Sequence, residues 1–115
     1  MIVRNLNQEE VRRRWYVAHG GGAATMLFDS SELQGILFFA HGLLKPGKML
    51  ERHIDPYEEI YYVLQGQGIM TVGDEEQQVS AGDAIWLPYG VPHSLLNNGD
   101  GDCVVVVTAA MPRAY

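Results

Sequence analysis

An all-β fold, built as a sandwich or barrel of many short strands, is what this 115-residue sequence predicts, and three observations carry the prediction. Short runs rich in β-branched, aromatic and aliphatic residues recur along the chain, separated by Gly, Pro, Asn and Asp. No amphipathic helix of useful length interrupts them. Several dipeptides also carry tight-turn chemistry, the clearest being Gly73-Asp74 between "IMTV" and "EEQQV", where Gly supplies the positive φ of a hairpin.

In chain order, Asn7 followed by Glu10 resembles a capping arrangement, so "NQEEVRRRW" is expected to hold a turn or two of helix. "RWYVAH" is the first expected strand. "HGGGAATM" at 19–26 reads as a mobile turn between strands. Its glycines invite comparison with an oxyanion-hole loop, but no G-x-S-x-G follows to supply a nucleophile. "DSSELQG" allows a short turn, capped by Asp29 or Ser30 and ended by Gly35. The remaining strands are "GILFFAHGLL", "EIYYVLQG", "GIMTV", "EQQVSA", "DAIWLP", "HSLLN" and "CVVVVTAA", with Gly82-Asp83 and Asn98-Gly99 as further turns. With no linker, repeat or low-complexity segment, residues 1–115 are expected to form one domain.

A formal net charge of -6 argues against a nucleic-acid partner, because binding a phosphate backbone needs a basic surface. "RRR" at 12–14 is the sole basic cluster and reads as a solvated strand edge or surface patch rather than an anion site. No apolar run approaches membrane-spanning length and "MIVRNLNQEE" lacks the apolar region of a signal peptide, so a cytoplasmic protein without a membrane partner is expected. Cys103, the single cysteine, sits beside "VVVV"; it is expected to be buried and inert, and it excludes an internal disulfide or a cysteine-rich zinc site.

Chemistry concentrates in "HIDPYEEIYYVLQGQG", residues 53–68. If His53 and Asp55 lie on a strand, they point the same way, since residues i and i+2 share a face. After a bend at Pro56-Tyr57, Glu59, Tyr61 and Val63 share one face of the next strand, and Glu58, Ile60, Tyr62 and Leu64 the other. Two neighbouring strands would then bring His53, Asp55 and Glu59 over one pocket, with Glu58 exposed. Tyr61 is either a substrate contact through its hydroxyl or an aromatic core filler. In "GDAIWLPYGVPHSLLN", residues 82–97, His93 is a further candidate ligand, and by parity Leu95 and Asn97 face its side.

These two segments resemble the paired motifs of the cupin superfamily, G-x5-H-x-H-x3/4-E-x6-G and G-x5-P-x-G-x2-H-x3-N. Gly47, His53, Glu59 and Gly66 match the first, with Asp55 in place of its second His; Gly82, Pro88, Gly90, His93 and Asn97 match the second throughout. The resemblance implies a double-stranded β-helix (jelly roll) of two antiparallel sheets. It also implies one divalent metal bound inside by His53, Asp55, Glu59 and His93. Imidazoles with carboxylates suit iron, manganese, zinc or nickel. As a ligand, Asp55 would give a second carboxylate and a formally neutral site; as the shorter side chain, it could instead orient His53 or act as a base. The competing reading makes His53 and His93 hydrogen-bonded rim residues and pairs Glu59 with Arg52. His19 is read as a surface histidine and His41 as a strand residue paired locally.

Functionally, the resemblance implies a metal-dependent enzyme of dioxygenase, isomerase or lyase type acting on a small organic molecule, with Asp55 and Tyr61 as catalytic candidates. The alternative is a non-catalytic module that binds a sugar or organic acid. Ile60, Tyr62 and Leu64 would leave an apolar outer face, and small cupins are often homodimers; a homodimer through that face and the N-terminal strands is therefore expected.

Overall fold

The computed structural model describes residues 1–112. After a single helical turn α1 (Glu9–Arg12), ten strands follow among the described residues: β1 (Trp15–Ala18), β2 (Gly22–Phe28), β3 (Ile36–Leu44), β4 (Met49–His53), β5 (Glu59–Gln65), β6 (Gln67–Val72), β7 (Glu75–Ser80), β8 (Ala84–Leu87), β9 (His93–Leu96) and β10 (Cys103–Ala110). They pair antiparallel into a six-stranded sheet, β1-β2-β3-β10-β5-β8, and a four-stranded sheet, β4-β9-β6-β7. This is the jelly-roll barrel expected above.

The core lies between the sheets and includes Leu44, Val63, Leu87, Leu95, Cys103 and Val105. Cys103 is fully buried, as its apolar neighbours predict. Strand β5 alternates as its parity requires: Glu59, Tyr61 and Val63 are 4%, 3% and 0% exposed, whereas Ile60, Tyr62 and Leu64 are 52%, 44% and 49% exposed.

Four local expectations need correction. Asn7 does not cap α1: its own N–H donates to Asn5 Oδ1, and Gln8 stands at the cap position without a side-chain bond to the helix. The segment after the glycine run is a seven-residue strand, β2, rather than part of a mobile turn. Pairing with β1 on one side and β3 on the other overrides its weak Gly-Ala propensity, and a Cβ on Gly22 would collide with Leu50. The charged run "MLERH" forms β4, held by pairing with β9. Because β4 ends at His53, Asp55 lies in the bend beyond it, not on the strand.

Elsewhere the reading holds. The arginine cluster is a partly neutralised surface patch: Arg13 pairs with Glu9 at 2.7 Å and Arg14 with Asp29 at 3.1 Å. Asp29 anchors the turn before β3 by accepting the Ser31 N–H at 2.9 Å. Asn97, fully buried, braces the barrel end near Gly47: its Nδ2 donates to the carbonyls of Leu44 (2.8 Å) and Gly101 (2.9 Å), and its Oδ1 accepts the Gly99 N–H (2.9 Å). Gly66 has φ 81°, and a Cβ there would strike the Asp102 carbonyl, so its place in the motif is a steric requirement.

Candidate metal centre

His53 at the end of β4 and His93 at the start of β9 are register partners, which sets the two imidazoles side by side. Their rings meet edge-on, centroids 4.3 Å apart at 70°. His53 Nδ1 lies 2.7 Å from the Glu51 carbonyl and His93 Nδ1 lies 3.1 Å from the Val91 carbonyl. A carbonyl oxygen only accepts, so each Nδ1 carries the proton and each Nε2 is the nitrogen left to face inward. The bend through Pro56 returns Asp55 over this pair, its Oδ2 3.2 Å from His53 Nε2 and 3.3 Å from His93 Nε2. Glu59, from the opposite sheet, brings Oε1 within 3.4 Å of His93 Nε2.

The potential ligand atoms of His53, Asp55, Glu59 and His93 all lie within 4.8 Å of one another. For bonds of about 2.1 Å in a tetrahedral shell, neighbouring ligand atoms stand about 3.4 Å apart. The observed ion-pair separations fall at that spacing. His53 Nε2, Glu59 Oε1 and His93 Nε2 are nevertheless buried without a hydrogen-bond partner. Buried polar atoms are rarely left so, and three converging on one point suit a cation that would satisfy them together. The cluster can therefore hold a metal ion. Arg52 does not pair with Glu59; its guanidinium donates to the Gly73 carbonyl.

Without a metal, the groups polarise one another. Burial pushes Glu59 up, to about 7, with the Asp55 charge adding to the rise and His93 opposing it. Burial alone would lower His93, but the Asp55 and Glu59 carboxylates outweigh it and leave the imidazole at about 9. Burial would raise Asp55, yet His93, Glu59 and His53 hold its carboxyl well below the usual range.

His19 is not a detached surface histidine. Its ring stacks on His53, centroids 3.4 Å apart and 7° from parallel, and its carbonyl accepts the Glu51 N–H at 2.8 Å. The backbone takes a left-handed φ of 46°, a strained choice for a residue with a Cβ. The glycines after it were the available signal, since they let the chain fold back against β4: Gly20 bridges to Leu50. His41 sits on β3 opposite Thr25 and Val106, outside the cluster.

Tyr61 is buried, its ring edge-on to His93 with centroids 6.1 Å apart. Two further phenols missed in the sequence, Tyr16 and Tyr57, flank the carboxylates. Burial first, then the charges of Glu59 and Asp55, raise Tyr57 and Tyr61; burial and Glu59 raise Tyr16. All three remain protonated, so each hydroxyl is available as a hydrogen-bond donor. Glu59, Tyr61 and His19 line a cavity of about 50 Å³ that runs between the cluster and strands β2 and β3. A larger open cleft of about 360 Å³, lined by Val72, Glu75 and Trp86 among others, contains none of the four clustered residues and is not their access route.

A two-sheet antiparallel barrel with His, Asp, Glu and His converging inside defines a class, and residues 40–109 match the cupin domain. The chain belongs to the cupin family. It is 42% identical over 67 residues to an uncharacterized protein of Methanocaldococcus jannaschii, covering 58% of this chain and 53% of that one. It is 28% identical over 97 residues to the tetracenomycin polyketide synthase protein TcmJ of Streptomyces glaucescens, covering 82% and 65%. With the oxalate-binding protein of Thermotoga maritima it shares 35% over 65 residues, covering 56% and 54%. These matches thus span between about half and two-thirds of the relatives' lengths. Among solved structures, a predicted oxalate decarboxylase of Thermotoga maritima superposes with a TM-score of 0.78 at 24% identity, over 96% of this chain and 99% of that one. A protein of Thermus thermophilus, TT1209, superposes with a TM-score of 0.73 at 26% identity, over 97% and 100%.

Proposed function

We propose that this cupin holds one divalent ion through His53, Asp55, Glu59 and His93 and acts as a metal-dependent enzyme on a small organic molecule, in a reaction of dioxygenase, isomerase or lyase type. The observation that carries the reading is the convergence of three buried, unpartnered ligand atoms on one point. Two imidazoles and two carboxylates suit iron, manganese, zinc or nickel and tilt the site away from copper. A bound ion would polarise a ligand oxygen. Asp55 completes the ligand set rather than acting as a free base. Tyr61, protonated and buried at the cavity wall, donates a hydrogen bond to the bound molecule and holds the oxygen it faces. Glu59 and His93 keep water out of the inner end by filling it, which strengthens each polar contact there.

A second reading, a binding module without turnover, is favoured by the likeness to the oxalate-binding protein. An acidic chain without internal disulfides suits a cytoplasmic setting. A homodimer completes the proposal: Ile60, Tyr62, Leu64 and Trp86 expose apolar surface on the outer face of β5 and β8.

Metal content after matched loading tests the reading. About one equivalent per chain is expected in the wild type and none in a His53→Ala/His93→Ala variant. Equal content in the two would remove the site. Assays across oxygen-dependent and oxygen-independent substrates then separate enzyme from binding module.

A further inference from the structure

We infer that His19 is a positioning residue of the metal centre: its ring lies flat on His53 and fixes the plane in which that imidazole meets an ion, and the chain keeps a strained backbone at residue 19 to place it there. The inference rests on the metal reading above and adds how one of the ligands is held.

Of the two imidazoles in the cluster, His93 is sealed in the barrel, with the Tyr61 ring edge-on to it and 3% of its side chain exposed, whereas His53 stands at the rim with 14% exposed. One hydrogen bond, from His53 Nδ1 to the Glu51 carbonyl at 2.7 Å, sets where that nitrogen sits. Hydrogen bonds tolerate a broad range of angles, so this one alone leaves the ring free to tilt. A second ring laid flat against it removes that freedom, and His19 supplies one, with centroids 3.4 Å apart and planes 7° from parallel.

His19 acts through His53 and not as a fifth ligand. An imidazole binds a metal along a lone pair in its own ring plane. An ion in the plane of His53 therefore lies outside the parallel plane of His19, whose nitrogens are not aimed at it. His19 is accordingly outside the group of four residues whose ligand atoms lie within 4.8 Å of one another.

The backbone enforces the placement. Among the described residues His19 is the one residue other than Gly with a positive φ, 46°, and it stands in the connection between β1 and β2, where Gly or Asn would relieve the strain. Three contacts fasten this connection to β4: the Glu51 N–H donates to the His19 carbonyl at 2.8 Å, Gly20 bridges to Leu50, and Gly21 runs so close that a Cβ on it would strike the Met49 backbone. Glu51 thus holds both members of the stack, the His19 backbone through its N–H and the His53 ring through its carbonyl. Strain of this kind persists only where the surrounding chain imposes it, and it gathers at functional sites.

Zinc-loaded protein mixed with an excess of the chromogenic chelator 4-(2-pyridylazo)resorcinol tests the inference, the rate of zinc release being compared in wild type, His19→Asn, His19→Gly and His19→Phe. Asn and Gly suit the left-handed backbone but remove the ring, and each covers the case that the other does not fold; Phe keeps a flat ring without a nitrogen, and His19→Tyr replaces it should it not fold. Release about tenfold faster from the Asn and Gly variants, and within about twofold of wild type from the Phe variant, is expected. The metal-free Asn variant should unfold within about 4 °C of wild type or above it, since the substitution relieves strain. Unchanged release from Asn and Gly, release from Phe as fast as from Asn, or a metal-free Asn variant that melts lower than that margin would each overturn the inference: the first denies the stack a role, the second gives the role to a nitrogen, and the third makes His19 an ordinary structural residue. Failure of the metal reading shows separately, as wild-type protein that takes up no zinc. The stack is then read on metal-free protein, where the His53 ring-proton NMR signals, shifted by the His19 ring current, should move in the Asn variant; signals that stay in place would overturn the inference.

Discussion

Loading metal into this site must expel protons, and the number follows from the cluster. In the metal-free protein His93 titrates at about 9 and Glu59 at about 7. At pH 7 the imidazole is thus about 99% protonated and the carboxyl about half, a total near ~1.5 protons that coordination displaces. At pH 6 the total is about 1.9 and at pH 8 about 1.0, the two groups being read together as a coupled pair. The assay is calorimetric titration of metal-free protein with zinc in buffers of different ionisation enthalpy, whose slope counts protons released. Release that is absent, or that rises between pH 6 and 8, would refute the assignment of His93 and Glu59 as ligands. Stability carries the same sign. For His93, raised from 6.5 to about 9, the contribution is complete below 6.5 and lost as pH rises through about 9. For Glu59, raised from 4.5 to about 7, it is complete below 4.5 and lost through about 7. The metal-free protein should lose stability from mildly acidic to alkaline pH, and bound metal should remove that slope.

Asn97→Ala removes three side-chain hydrogen bonds from a fully buried position and should cost roughly 2–4 kcal/mol in denaturant unfolding; a loss below about 0.5 kcal/mol would show that the brace does not matter. Tyr62→Glu, on the outer face of β5, should weaken the proposed homodimer in sedimentation equilibrium at micromolar concentration without changing metal content. A wild-type monomer would remove the dimer. Loss of metal from a dimeric Tyr62→Glu would mean that the faces of β5 are misassigned.

What was legible in the sequence was whatever a motif or a strict period encodes. Alternation along β5 separated Glu59 and Tyr61 from Glu58 and Tyr62, because one face of that strand is buried and the other is not. Fixed spacings from Gly47 to Gly66 and Gly82 to Asn97 located all four clustered residues, since those glycines and Asn97 set where the chain can turn. What escaped depends on partners distant in sequence. β2 is a strand because β1 and β3 flank it, which "GGAATM" does not announce. His19 reaches His53 through a left-handed backbone beside three glycines, and Tyr16 from β1 and Tyr57 from the bend before β5 come near the carboxylates. Asp55 came to the right place by the wrong geometry: the Pro56 bend carries it there, not strand parity.

That bend has a mechanical side. His53 and His93 belong to the four-stranded sheet, Glu59 to the six-stranded one, and Asp55 to the chain crossing between them. An ion gripped by all four would act as a rivet joining the two layers at one rim. Near the other edges, where β7 and β8 end their sheets, the layers part around an open cleft. With the rivet in place, amides around β4 and β9 should become slower to exchange than in the metal-free protein.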